Sequence, residues 1–345
     1  MNFEQVIGLE VHCELKTHSK MFSAAPVTFG EDVNTMVNEV DLGMTGTMPV
    51  VEFAIRVCHA LHMEIDELLC FDRKNYYYSD LPKGFQITQD KRPIGRNGYL
   101  DIDVDGEVTR VEIERLHMEE DTAKQFHFDD YSLIDYNRAG IPLIEIVTRP
   151  NIRNGAQAAA YLEKLRQVFL YTDVSDAKME EGSMRCDVNI SIRPFGSDEF
   201  GIRTEIKNLN SISNVQKAIE FEAMRQEKVL IQGGEVKQET RRFDEDSKET
   251  VVMRAKGDAV DYKYYTEPNI LPIRLDHQWV MQIKDELPMM ADERAKLYIE
   301  KHGLPQTDAN ILVASKDISD FYEETIQTCQ EYKLVCNWLL GEVQA

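Results

Sequence analysis

The chain has 345 residues and carries 61 acidic against 39 basic side chains, a formal charge of −22, with 43% hydrophobic and 29% charged residues. That length suggests about two domains and a sizeable core; the composition is too apolar for disorder and too poor in Gly and Pro for a collagen-like or linker-rich chain. The acidic excess argues against broad nucleic-acid affinity, so any such contact is local or shared with a partner.

Apolar runs such as Ile141–Ile146 are broken by Glu or Pro, and none approaches the ~20 residues of a membrane span. No basic n-region precedes the first strand, so no signal peptide is read. The six Cys, at 13, 58, 70, 186, 329 and 336, form no C-x-x-C pair. That favours free thiols in a reducing cytoplasm over disulfides or a zinc knuckle.

Residues 1 to about 150 read as mostly β. Val6–Leu15 alternates, placing Glu10, His12 and Glu14 on one face and Val11 and Cys13 on the other. Phe53, Val57 and Leu61 mark one amphipathic helix over Val51–Leu61. Asp105-Gly106 reads as a hairpin turn between Tyr99–Val104 and Val108–Met118. A second helix spans 156–171 with Ala158, Leu162, Leu165 and Phe169 as its stripe, followed by strands Arg185–Ile192 and Ile202–Lys207. A third helix starts at Ser213 with Gln216 at N3 of a capping box, and Gly233-Gly234 stops it. The mixture is not a regular βαβ alternation, so the fold class reads as α+β with an antiparallel sheet. From about 290 the texture turns helical, with segments Ala291–Lys301, Asp317–Ile326 and Lys333–Leu340. The last pattern is cut off with Trp338, Leu339 and Leu340 in want of a partner surface, and the end reads as a truncation.

Walker A, G-x-G-x-x-G, kinase, G-x-S-x-G and H-E-x-x-H signatures are all missing. What remains is acid on strands. Glu10-x-His12 presents two groups to one side, as a cation site needs, though a solvated edge face is the plainer reading of a lone pair. His117-Met-Glu-Glu-Asp121 places three acids in a row, which calls for a cation or for water; a charged turn is the plainer reading. Asp187, Asn189 and Ser191 form an oxygen-rich row suited to Mg²⁺, or a polar outer face. Glu205 and Lys207 read as a ligand and a phosphate contact, or as an ion pair worth ~0–1 kcal/mol. Phe71–Tyr78 and Asp261–Tyr265 interleave basic and aromatic groups, fit to stack a base and hold a phosphate or simply to pack as strands.

Longer stretches carry a family resemblance. Val6–Leu15, Phe71–Asn75 through Leu81–Gln86, Arg115–Asp121, Gly140–Val147, Met179–Asn189, Glu205–Ser211 and Gln238–Asp244 together resemble the B subunits of the bacterial aspartyl/glutamyl-tRNA amidotransferases, from residue 1 to the end. The resemblance implies a cradle domain similar to glutamine synthetase over 1–290, part of a helical domain over 291–345, and a tRNA-binding tail that this chain lacks. It implies a cytoplasmic heterotrimer with an amidase (the A subunit) and a small third protein (the C subunit). ATP and Mg²⁺ serve to phosphorylate the side-chain carboxylate of misacylated Glu-tRNA(Gln) or Asp-tRNA(Asn), and ammonia then displaces phosphate. The family's metal and catalytic positions fall on Glu10, His12, Glu120, Asp187 and Glu205. His12, unusual for Mg²⁺, leaves room for Mn²⁺ or Zn²⁺. Charge and motif position make Lys74, Lys207, Arg241 and Arg254 the candidate phosphate contacts. Departures fall at Thr122-Ala123, at Lys263, Tyr265 and Thr266, and in a shortened Met48–Val51 region. Two rival readings are a stand-alone carboxylate–amine ligase on a small molecule and a docking protein without chemistry.

Overall fold

The computed structural model describes residues 2–42, 50–255 and 262–343, and the side chains of 254 and 255 lie outside the described set. The chain opens with β1 (Phe3–Glu14) and α1 (Val51–Ala60), then short strands β2 (Glu64–Ile65), β3 (Leu68–Leu69), β4 (Asp72–Asn75) and β5 (Phe85–Thr88). Two hairpins follow, β6 (Gly95–Val104) with β7 (Glu107–Glu120) and β8 (Lys124–His127) with β9 (Ser132–Asp135), and then β10 (Pro142–Thr148) and α2 (Gly155–Tyr171). The next elements are β11 (Met184–Pro194), β12 (Thr204–Leu209), α3 (Ile212–Ile231), β13 (Glu239–Asp244), β14 (Glu249–Ala255), β15 (Lys263–Thr266), β16 (Ile273–Arg274) and α4 (His277–Asp285). Helices α5 (Ala291–Glu300), α6 (Gln306–Ala314), α7 (Lys316–Thr328) and α8 (Tyr332–Trp338) end the described chain, with a π-helical turn at Leu339–Val343.

Nine strands form one sheet in the order β14-β13-β12-β11-β1-β10-β7-β6-β2. The α+β reading holds, with one correction. Every pair is antiparallel except β12 and β13, which run parallel because α3 returns the chain to the same end of the sheet. The Asp105-Gly106 hairpin forms as read, both residues taking positive φ, 55° and 84°.

The sheet has an oil side and a charged side. Ile7, Leu9, Val11 and Cys13 of β1 are fully buried and share one cluster with Ala158, Leu162, Leu165 and Phe169 of α2 and Val215, Ala218 and Ile219 of α3. Burying a Leu or Ile side chain contributes about 1.5–3 kcal/mol, so this face pins the register of the central strand. Asn154 caps α2 by accepting from the Gln157 amide at 2.8 Å. Close helix approach explains Gly155, where a Cβ would stand 2.9 Å from the Gln216 carbonyl oxygen on α3. The cap of α3 is Ser211, not Ser213: its extended backbone lets Oγ accept from the Asn214 amide at 3.1 Å, so the helix begins earlier. Helices α4 and α6 have no counterpart in the sequence reading, each being only nine residues long.

The last four helices have their own cluster, built on Ala291, Tyr298, Leu312, Tyr322, Val335 and Leu339. One member comes from elsewhere. Tyr171, the last residue of α2, lies in this cluster, its hydroxyl donating to the Val313 carbonyl at 2.9 Å and its ring 5.1 Å from the Arg294 guanidinium. Lys164, on the same helix, pairs with Asp292. Among the described residues no helix is long and apolar enough to cross a membrane, and all six cysteines are free thiols. Tyr171→Ala is expected to cost about 3–5 kcal/mol and Tyr171→Phe about 1 kcal/mol, measured by urea unfolding. Limited proteolysis of the alanine variant is expected to cut first in the helices after 290.

Candidate metal and nucleotide site

Strand register assembles the polar face. Glu10 stands opposite Asp187 of β11, His12 opposite Glu145 of β10, Glu145 opposite His117 of β7, and Asn189 opposite Glu205 of β12. Two triads result. Glu10, Asp187 and Glu205 form one; His12, Glu119 and Glu145 form the other, and within each the candidate ligand atoms lie within 4.8 Å of one another.

In the first triad Asn189 Nδ2 donates to Glu10 Oε1 at 2.8 Å and Thr240 Oγ1 to Glu205 Oε2 at 2.9 Å. Lys207 pairs with Asp187 and, at 3.0 Å, with Glu205. Burial, then the Glu145 and Asp187 charges, raise the Glu10 pKa. Burial also opposes ionisation of Glu205 and Lys207, but the Lys207 charge lowers the acid and the Asp187 and Glu205 charges together raise the base.

In the second triad His12 Nε2 lies 3.1 Å from Glu145 Oε2. Burial disfavours the imidazolium, yet the Glu145 charge and hydrogen bond, with Glu119 and Asp187 beyond, push its pKa up to about 9. Glu145 is held well below the usual carboxylate range: burial opposes this, and the His117 and His12 charges outweigh it. Thr88 Oγ1 donates to Glu119 Oε2 at 3.2 Å. Lys74 projects from β4 opposite Tyr264, its ammonium 4.7 Å from the Tyr262 ring centroid. Burial works against its charge, but Glu119, Tyr264 and Glu145 raise its pKa. The two basic-aromatic segments seen in the sequence are thus one ribbon, β4 paired with β15.

Four of the five residues expected to bind metal converge: Glu10, His12, Asp187 and Glu205. Glu120 does not. Successive side chains on a strand point to opposite faces, so Glu119 joins His117 while Glu120 turns to Lys83 and accepts from the Ile87 amide at 3.0 Å. The acidic run is no solvated turn, since Glu119, Glu120 and Asp121 are only 3–6% exposed. Asp121 takes Arg185 at 2.6 Å and Arg138 at 3.5 Å.

Lys207 forms the ion pair that was the alternative to a phosphate contact, with Asp187 and with Glu205 at 3.0 Å, and Lys74 feels the charges of Glu119 and Glu145. Arg241 departs from that expectation. It points to the helix side, donating to Thr250 Oγ1 at 2.9 Å and the Thr250 carbonyl at 2.6 Å, and meeting Glu239 at 3.1 Å and Glu222 of α3 at 3.5 Å. The backbone of Arg254 pairs opposite Thr240; its side chain lies outside the described residues, as does the expected change around Met48. Sequence reading missed Glu119 and Glu145 as triad members. A lone carboxylate inside the apolar Ile141–Val147 strand was the available signal for Glu145, because such a group demands a partner.

The donor set fits a hard divalent cation: five carboxylates offering oxygens, with one imidazole in the second triad. Two oxygen-rich clusters able to hold cations, with lysines near them, suit the neutralising of phosphates.

Comparison with known proteins identifies the family. Residues 5–281 match the family described as the GatB/GatE catalytic domain. The aspartyl/glutamyl-tRNA(Asn/Gln) amidotransferase B subunit of Mesoplasma florum is 55% identical over 349 residues, covering 100% of this chain and 73% of that protein. The like-named proteins of Lysinibacillus sphaericus and Staphylococcus saprophyticus are each 53% identical, covering 100% and 99% of this chain and 74% and 73% of their own lengths. The chain belongs to the family of aspartyl/glutamyl-tRNA amidotransferase B subunits.

Proposed function

We propose that this chain is the ATP-dependent activating and amidating component for misacylated Glu-tRNA(Gln) or Asp-tRNA(Asn). The observation that carries the reading is the convergence of two cation triads on one sheet face, each with a lysine beside it. We assign residues 1–290 to a catalytic cradle of the glutamine-synthetase kind and 291–345 to the start of a helical domain. The working assembly, in the cytoplasm, includes the amidase and the small third protein of the heterotrimer.

A carboxylate resists attack by ammonia because its carbonyl carbon is electron-rich and oxide is a poor leaving group. Transfer of the ATP γ-phosphoryl group to the side-chain carboxylate gives an acyl phosphate and ADP. Ammonia then adds at the carbonyl carbon, the C–O bond to phosphate breaks with its electron pair, and a proton is lost from nitrogen to leave the amide. Glu10, Asp187 and Glu205 are assigned to one Mg²⁺ or Mn²⁺, and His12, Glu119 and Glu145 to another. Such ions, when bound, neutralise phosphate oxygens during phosphoryl transfer. Lys207 and Lys74 are assigned to the polyphosphate, as charges already seated beside the two triads. Asn189 and Thr240 hold Glu10 and Glu205 in place, so the ligand oxygens are positioned before substrate arrives.

In the assembled heterotrimer, Asp187→Asn is expected to lower formation of Gln-tRNA or Asn-tRNA by about 100-fold or more while glutaminase activity stays intact. ATP turnover is expected to rise with Glu-tRNA or Asp-tRNA and not with free glutamate; stimulation by free glutamate would instead point to a small-molecule ligase.

Neighbouring acids give a sharper test. Glu119→Gln is expected to weaken Mn²⁺ binding about 10–100-fold, whereas Glu120→Gln leaves it near wild type, as followed by electron paramagnetic resonance. His12 supplies the pH dependence. With its pKa raised to about 9, it is protonated at pH 7.5 and must lose that proton to act as a ligand. Cation binding is therefore expected to release close to one proton at that pH, weakening as pH falls; calorimetry in buffers of different ionisation enthalpy measures the release.

A further inference from the structure

His117 is 6% exposed and sits in β7 opposite Glu145. Its Nε2 lies 3.4 Å from Glu119 Oε2 and 3.5 Å from Glu145 Oε2. Its Nδ1 is buried and has no hydrogen-bond partner among the described residues. Nε2 is the nitrogen with acceptors in reach, so an N–H belongs there. Nδ1 is left as a buried polar atom without a partner, which destabilises the fold. A ring kept in that state, with its polar contacts confined to two carboxylates, serves those carboxylates rather than the core.

Each contact goes to a single oxygen of its carboxylate. Glu119 Oε2 takes His117 and Thr88, while Glu145 Oε2 takes His117 and His12. Oε1 of each acid has no partner among the described residues. We infer that His117 is a positioning residue for cation binding by His12, Glu119 and Glu145: its Nε2–H gathers one oxygen of each acid and leaves the other oxygen of each for the ion. This rests on the assignment of that triad to a cation.

The test is Mn²⁺ titration of the full chain, read by electron paramagnetic resonance, with three variants. His117→Ala is expected to weaken Mn²⁺ binding about 10–100-fold. His117→Gln, whose amide reaches the position of Nε2, should retain affinity within a few-fold; His117→Asn, whose amide reaches only to Nδ1, should behave like alanine. Melting curves in EDTA identify any variant that misfolds, and the Gln and Asn pair decides the matter if alanine does. Equal affinities in Gln and Asn variants, or wild-type affinity in alanine, would overturn the inference. Failure of the wild-type chain to bind Mn²⁺ would instead remove the triad assignment itself, and this role with it.

Discussion

Like charges brought close together constrain everything else in this molecule. Glu10, Glu119, Glu145, Asp187 and Glu205 converge from five adjacent strands on one sheet face, and carboxylates so placed repel one another and resist ionisation when buried. The protein answers with seated cations and donors. Lys207 pairs with two of the acids, His12 and His117 flank a third, and Asn189, Thr240 and Thr88 donate to individual oxygens. The opposite face supplies the rigidity, because Leu9 and Val11 are locked into the apolar cluster while Glu10 and His12 point away from it. Any slip of β1 by one residue would exchange oil for charge on both sides at once.

Placing the ligands on strands rather than loops has a consequence for chemistry. Glu10 and His12 are two residues apart on β1, so the triads they anchor are spaced by roughly 7 Å of strand rise. Phosphoryl transfer gains mainly from fixed positions and fixed charges, and a backbone hydrogen-bonded on both edges fixes both. Lys74 is held differently. It reaches the second triad from the β4–β15 ribbon, whose other members include the exposed Tyr264 and Tyr265, so one cation of the site rides on a separate small sheet.

Alternation makes much of this legible in the chain itself. The β1 pattern places Glu10 and His12 on one face, the Asp187-x-Asn189 row marks a second oxygen-bearing strand, and the stripe of α2 and three of the four helices after 290 are visible in the sequence. Parity and partnership are what spacing does not carry. In the run from His117 to Asp121 nothing local says which acid shares the face of the triad, because all three are buried; the register with Glu145 decides it for Glu119. Arg241 is misread for the same reason. Its neighbours Thr240 and Arg242 alternate to the other side, and only the position of α3 reveals Glu222 as its partner. The parallel step from β12 to β13 is equally hidden, since it depends on where α3 returns the chain.

That arginine shows how the site is braced. Arg241 ties β13 to β14 through Thr250 and to α3 through Glu222, while Glu222 also takes Arg225 at 2.6 Å and Gln226 at 2.9 Å. Burying so many polar groups is stabilising only when each finds a partner, and here most do. The benefit appears one strand away. Because β13 is clamped on its helix side, Thr240 on its other face is held where its hydroxyl meets Glu205, and Glu205 with Lys207 completes the first triad. A charged residue that looks catalytic from sequence thus contributes through the backbone, by fixing the strand whose neighbour carries the ligand.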